Sequence, residues 1–484
     1  MAPDLVTRST AGRWVIAATV LGSALAAIDA TVVGIALPVI GRQFHGSITS
    51  MQWVVTGYLL SLAALLLVGG TLGDLFGRRR VFLVGVVWFA LASVACSLAP
   101  DVPTLVATRI LQGIGASLLL PGSLAIIQAS FSPAERNRAI GAWAGLGGVA
   151  TAAGPLLGGY LVSAVSWRWI FVINLPLGAI VWAITVRHVP ETRQETLRPR
   201  VDGAGAVLTV VALAGITFAF IEGPVQGWAH LPVLVMLIVG ATAGVALVVA
   251  EARAADPMVP LAVFRIQQFT VTNLVTLLVY AALAGALFLL PVELEVVDGY
   301  SALKAGLSLL PLTLVMLVLS ERSGQLAARI GPRLQMTVGP VLVGIGLALL
   351  SRTSGDSSYL SGVLPAVAVF GLGLATTVAP LTASAMGALP SEHAGLASAV
   401  NNDVSRLGGL FAVALLPALA GITGQTYLHP AAMSVAFRTA VFISAAWCGA
   451  AAVVAGLGIR NLPRDLGGQG ACAHCALDAA PLAG

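Results

Sequence analysis

The sequence predicts an all-α integral membrane protein that crosses the bilayer fourteen times, and three observations predict it. Of its 484 residues 58% are hydrophobic and 9% charged, with a mean hydropathy of +0.96. A soluble domain is about a quarter charged. Apolar runs of about 20 residues, enough to span a bilayer as helix, recur from end to end between short polar breaks. The basic residues, finally, fall unevenly between those breaks.

In chain order the runs are 14–37, 50–70, 81–99, 103–130, 137–163, 168–187 and 203–221, then 229–250, 268–291, 303–323, 334–350, 358–386, 395–423 and 436–459. An even number puts both termini on one side. If that side is cytoplasmic, the inner breaks hold 18 basic residues: Arg8, Arg13, Arg78, Arg79, Arg80, Arg136, Arg138, Arg187, Arg193, Arg198, Arg200, Arg253, Arg265, Arg322, Arg329, Arg333, Arg460 and Arg464. The outer breaks hold 5: Arg42, Arg168, Lys304, Arg352 and Arg438. That is a strong positive-inside bias. Arg109 and Arg406 fall within runs. The first run is too long for a signal peptide and lacks a small-residue cleavage site.

The longest charged break, "RHVPETRQETLRPRVDG" (Arg187 to Gly203), reads as a cytoplasmic linker after the sixth span. Cys96 and Cys448 lie in apolar runs. Cys472 and Cys475 flank His474 in a tail, a cluster too small and isolated to argue for a metal site. The net charge of +5 is scattered over short loops, so no nucleic-acid partner is expected. No Walker-type loop, HExxH or GxSxG occurs. No enzyme is expected, and energy would come from an ion gradient instead of ATP or another cofactor.

Between spans two and three lies "GGTLGDLFGRRRVFLVG" (Gly69 to Gly85), with Gly70, Asp74, Gly77, Arg78 and Arg79. Glycines allow close helix approach, Asp74 can cap the next helix or pair with arginine, and the arginines hold the loop inside. After span ten, "SGQLAARIGPR" keeps Gly324, Leu326, Arg329, Gly331 and Arg333 in the same spacing. A loop repeated in two halves suits a transporter made of related bundles.

These loops resemble the signature loop of the major facilitator superfamily. "LVATRILQGIGAS" (Leu105 to Ser117), with Arg109, Gln112 and Gly113, is similar to that family's fourth-helix motif. "TAAGPLLGGYL" (Thr151 to Leu161), with Gly154, Pro155, Gly158 and Gly159, is similar to its fifth-helix antiporter motif. "IDATVVGIALP", "WRWIFVINLPLG", "IEGPVQGW" and "NNDVSRLGG" resemble the fourteen-helix drug:proton antiporter branch. The resemblance covers nearly the whole chain. It departs at Gly34, where the branch has asparagine, at Ala150, where it has glycine, at Glu295, where it has glutamine, and at Asp298, where it has an apolar residue.

The resemblance implies two six-helix bundles plus two extra helices. The division would be 1–187 for the first bundle, 188–265 for the linker and added helices, 266–460 for the second bundle and 461–484 for a tail. It implies proton-coupled efflux of small amphipathic or cationic compounds across the plasma membrane by a monomer, with protons and lipid as its other partners. A symporter importing a metabolite and a non-transporting sensor or lipid-binding protein are the competing readings. Retention of both gate loops and of the intramembrane acids argues against the sensor.

Ionisable residues within spans are costly and face a cavity or a partner. At about 1.5 Å per residue, Asp29 lies roughly 13 Å and Arg109 roughly 9 Å inside the outer surface, in one bundle. A contact is expected to be possible. Asp29 is then either a proton or cationic-substrate site tuned by Arg109, or half of a permanent ion pair that locks the bundle. Asp403 and Arg406, three apart on one helical face, are either a local ion pair or a second proton or substrate site. Glu222 reads as interfacial. Glu293, Glu295 and Asp298 read as a solvated outer rim, with attraction of cations as the alternative. Asp74, Arg78 and Arg79 read as an inner latch between bundles.

Overall fold

A computed structural model describes residues 5–192, 202–254, 257, 259–353, 358–390 and 394–461. Arg193, Arg198, Arg200, Arg464 and the Cys472–His474–Cys475 cluster lie outside them. Among the described residues the regular elements are helices. The chain's first half runs α1 (Thr10–Gln43), α2 (Ile48–Phe76), α3 (Arg78–Ser97), α4 (Val102–Ser130), α5 (Pro133–Ala164), α6 (Trp169–Val172) and α7 (Asn174–His188). Then come α8 (Gly203–Gln226) and α9 (Leu231–Arg253). The second half runs α10 (Gln267–Val296), α11 (Ala302–Ser308), α12 (Leu310–Ile330), α13 (Pro332–Leu350), α14 (Val363–Gly387), α15 (Ala394–Leu419) and α16 (Pro430–Gly458).

Each predicted span has its helix, with α6–α7 and α11–α12 each forming one crossing in two pieces. Among the described residues, 13 of these segments are long and apolar enough to cross a membrane by that measure alone. The fourteenth crossing, α15, carries Asn401, Asn402, Asp403 and Arg406, which dilute its apolar character. The extra helices form a hairpin. A Cβ on Gly215 would sit 2.8 Å from Gly240 Cα, so only glycine lets these backbones meet. The hairpin leans on both bundles through α8, with the Trp53 and Phe218 rings 6.1 Å apart towards α2 and the Phe220 and Phe411 rings 6.0 Å apart towards α15. On α9, Leu231, Val245 and Val248 are exposed, as lipid-facing residues are.

The described chain begins and ends on one face, termed the terminal face; the opposite one is the far face. On the far half a single apolar core joins the bundles, with Val33, Leu37 and Ile40 of α1 packed among the cluster that holds Leu289 and Val292 of α10. Polar contacts reinforce it. Gln52 Nε2 donates to the carbonyls of Val413 and Ala414 at 2.8 and 2.9 Å, and Ile48 N to Gly424 O at 2.9 Å. Tyr427 Oη donates to Gly46 O at 2.7 Å, Leu303 N to Ser163 Oγ at 3.0 Å, and Arg42 pairs with Glu295 at 3.0 Å. All of these tie one bundle to the other towards the far face, which is therefore closed.

Candidate functional site

Asp29 and Arg109 do meet. Both are 1% exposed, and Arg109 Nη1 lies 2.5 Å from Asp29 Oδ2. Their surroundings come from five helices. Asp29 Oδ1 accepts from Gln112 Nε2 at 2.8 Å and from Asn174 Nδ2 at 3.1 Å. Those two amides also converge on Ser93 Oγ of α3, at 2.8 Å each. Arg109 donates to Gln112 Oε1 at 2.6 Å and to Val54 O of α2 at 3.2 Å, and its guanidinium stacks 4.3 Å from the Tyr58 ring centroid. The helical register explains the convergence, since Arg109 and Gln112 are three apart on one face of α4. Burying either charge alone would be expensive, and pairing plus a full set of donors is what makes it tolerable. Asp29 therefore sits inside the first bundle, enclosed and fully partnered. Gln112 and Asn174 stand in two of the motifs quoted above, and it is the structure that adds them to the site. An amide three residues after a buried arginine was the available signal.

In the second bundle, Asp403 and Arg406 share a face but form no ion pair. Asp403 Oδ1 and Arg406 Nε are buried without hydrogen-bond partners. Arg406 lies within electrostatic range of Asp403 on its own helix, and of Tyr58 of α2 and Tyr280 of α10. Asn401 Nδ2 donates to Asn273 Oδ1 and Thr276 Oγ1 of α10, at 3.1 and 2.8 Å.

The α5 glycines serve two partners. A Cβ on Gly154 would lie 2.0 Å from Thr31 Oγ1, and one on Gly158 would lie 2.9 Å from Val32 Cγ1, both on α1. A Cβ on Gly159 would lie 2.8 Å from Ala302 O, and one on Gly306 would lie 2.3 Å from Pro155 O. One stripe on α5 therefore packs within its bundle and against α11 of the other.

In the first repeated loop Asp74 does not cap α3, whose N-cap Gly77 has no side-chain acceptor; it pairs with Arg78 at 2.9 Å. Gly77 has φ +104°, and a Cβ there would sit 2.6 Å from a Glu191 carboxylate oxygen. Glu191 follows α7 and accepts from Arg79 N at 3.1 Å, while Arg79 itself donates to Val186 O at 2.5 Å. In the second loop Gly331 has φ +87°, and Asn461, just after α16, accepts from Arg333 N at 3.1 Å. Each loop is clasped by the residue three positions beyond the last helix of its own bundle. Both of these clasps are made within one bundle. Arg329 sits in the last turn of α12. The tight approach of α2 to α4 falls on Gly69, whose Cβ would lie 2.0 Å from Ser117 O, whereas Gly70 has ordinary room.

Two readings need correction. Glu293 is 0% and Glu295 7% exposed, so they form no solvated rim: α10 continues to Val296, five residues past the predicted end, and carries both into the far-face core. Asp298 Oδ1 is also buried, and burial raises that carboxyl above its ordinary pKa, with Lys304 opposing. Glu222 is not simply interfacial, because it accepts from Trp53 Nε1 at 2.9 Å and holds α8 to α2.

Two helical bundles sealed together at one face, each with charges buried among its spans, make a multi-pass membrane fold of the kind transporters use. Residues 19–413 match the sequence profile of the Major Facilitator Superfamily, and the chain belongs to that family. It is similar to the multidrug resistance protein Stp of Mycobacterium tuberculosis, 37% identical over 85% of this chain and 76% of that one. It is also similar to the methylenomycin A resistance protein of Streptomyces coelicolor, 36% identical over 87% and 88%. The tetracenomycin C resistance and export protein of Streptomyces glaucescens is 35% identical over 83% and 74%. In fold it matches a bacterial homologue of the human lysosomal transporter Spinster, with a TM-score of 0.65 at 17% identity, covering 93% of this chain and 97% of that one. The protein is thus a small-molecule transporter and not an enzyme.

Proposed function

We propose that this protein exports small amphipathic or cationic compounds, of the drug or antibiotic kind, in exchange for protons. The observation that carries this reading is its similarity, at about 36% identity over most of the chain, to proteins named for drug resistance and export. The terminal face is cytoplasmic in this reading, because the arginines gather there. The membrane is the plasma membrane, and the working unit is one chain divided as 1–187, 188–265, 266–460 and 461–484.

Coupling rests on Asp29 and Arg109. Protonating Asp29 removes the charge that Arg109 neutralises, and the released guanidinium, stacked on Tyr58 of the α2 helix that Gln52 ties to α15, changes how the bundles meet. Asp403 and Arg406 are the second candidate pair, in the other bundle. Glu222 fastens the added hairpin, and the two glycine-arginine loops with Asp74, Arg78 and Arg79 steady the helix ends on which the bundles rock. Gly154, Pro155, Gly158 and Gly159 supply the α5 surface against which they close.

Substrate-dependent proton movement in vesicles reconstituted with the full chain tests this, using a panel of cationic and neutral compounds. Wild-type protein should acidify the substrate-releasing side's opposite compartment as it expels compound, and an uncoupler should stop it. Absence of proton movement with every compound sinks antiport. Exchange by the Asp29→Asn protein at a near wild-type rate makes Asp29 structural and moves the role to Asp403. Labelling of a cysteine placed in 187–203 from outside intact cells would overturn the orientation.

A further inference from the structure

The far-face end of α10 holds a carboxyl that the transport reading does not use. Glu293 has no exposed surface, and neither of its oxygens has a hydrogen-bond partner. It lies about one helical turn from the end of α10, within the core that seals the two bundles together. Two residues on, Glu295 reaches across to Arg42 of α1 at 3.0 Å, and this is the ion pair of the far-face seal. The two acids are thus treated differently by the same closed gate: one is paired with a cation, while the other accepts no hydrogen bond.

The charged and titratable groups around that helix end can be named. Asp298 follows α10, and with Arg438 of α16 it is the group close enough to act on Glu293. Arg42 of α1 is engaged by Glu295, and Lys304 of α11 lies 3.6 Å over the Tyr300 ring, facing Asp298. Tyr427 donates to Gly46 O, and His429 immediately precedes α16. None of them supplies a hydrogen bond to Glu293. An ionised carboxylate sealed from water without a donor costs several kcal/mol, whereas a neutral carboxyl costs far less.

We propose that Glu293 is a proton-binding site that works the far-face gate: it holds a proton while the gate is shut and surrenders it when water enters on opening, with Arg42–Glu295 as the ionic latch beside it. Closure then takes up one proton. The closed form is fully favoured at pH values below the carboxyl's ordinary value of about 4.3. Above that, each unit of rising pH weakens its advantage by up to tenfold. Acid on the far side shuts the gate, and alkali opens it. This goes beyond the proposed antiport, because it needs neither substrate nor gradient.

The test reads the gate directly. Spin labels at Val165→Cys beyond α5 and Leu307→Cys on α11, both exposed positions, are placed in the full chain lacking its native cysteines, in lipid nanodiscs. Distances are measured from pH 5 to 9 without substrate. The expected wild-type result is a short separation at low pH giving way to a longer one as pH rises. Glu293→Gln, which copies the neutral carboxyl, should stay short throughout. Glu295→Gln should open more at every pH yet keep the pH shift. A wild-type separation that ignores pH, or a Glu293→Gln protein that keeps the wild-type shift, overturns the proposal. Loss of the shift in Glu295→Gln alone overturns it too, by moving the proton to the neighbouring acid. If antiport instead fails while the gate still titrates, only the transport reading is lost.

Discussion

Replacing Asp29 by asparagine looks mild on paper, and the structure argues that it is not. The carboxylate receives three donors: Arg109 Nη1 at Oδ2, and Gln112 Nε2 with Asn174 Nδ2 at Oδ1. An amide offers one acceptor in place of two. With its oxygen towards Arg109 its NH₂ faces two other NH₂ groups; with its oxygen towards them it faces the guanidinium. Either way a buried donor goes unmet, and the Arg109 charge loses its counter-ion in a site 1% exposed. Breaking a buried pair from one side costs about 3–5 kcal/mol. Arg109→Gln should cost a similar amount, since it strands Asp29 and frees Gln112 Oε1 and Val54 O. The double variant carries no unpaired charge, so it should be no worse than the poorer single, giving a coupling of at least about 2 kcal/mol. Equilibrium unfolding in mixed detergent micelles, read by tryptophan fluorescence, measures all four corners of this cycle. Additive losses, or single variants within about 1 kcal/mol of wild type, would refute the claim that this pair holds the first bundle together. The same cycle separates stability from coupling, because a stable double variant that still exchanges protons would free Asp29 of any transport role.

Other expectations follow from the packing. Gly159→Val should wedge α5 away from Ala302 and shift the same far-face spin-label distances towards longer values at low pH; an unchanged distribution would contradict the close approach seen there. Gly77→Ala meets both a φ of +104° and the Glu191 carboxylate, so it should lower stability by about 1–3 kcal/mol in the same unfolding assay and slow transport; wild-type values for both would count against the clasp. The hydroxyl and amide hydrogen bonds from Thr7 hold the Glu135 carboxyl below its ordinary pKa. Docking of the segment around Thr7 is then fully in force above pH about 4.3 and is lost as pH falls through the lowered value. Hydrogen exchange over residues 5–9 should report that release, and Thr7→Val should move it to higher pH; identical exchange profiles would remove Thr7 as the cause.

The spans were legible because each is a long apolar run, and every predicted one has its helix. Arg109 near Asp29 was legible too, since depth along a helix follows from residue counting. Rotation about the helix axis does not. That is why Ser93, Asn174 and Tyr58 could not be assigned to the pair before their helices were seen side by side, and why Asp403 and Arg406 share a face without bonding. Glu293 and Glu295 were misread for another reason. Charged residues after a proline usually mark the end of a membrane helix, but here α10 continues through Pro291 because the opposite bundle covers its tip.

The α8–α9 hairpin has a consequence for how such a chain can change. An insertion of two crossings preserves parity, so the second bundle keeps the polarity it would have if α7 led straight to α10. An odd insertion would have turned α10–α16 upside down and separated the paired clasps at Glu191 and Asn461 onto opposite surfaces. Because the hairpin closes on itself at Gly215 and Gly240 and leans on the bundles through α8, a gene could gain or shed it as one unit without reorienting either half.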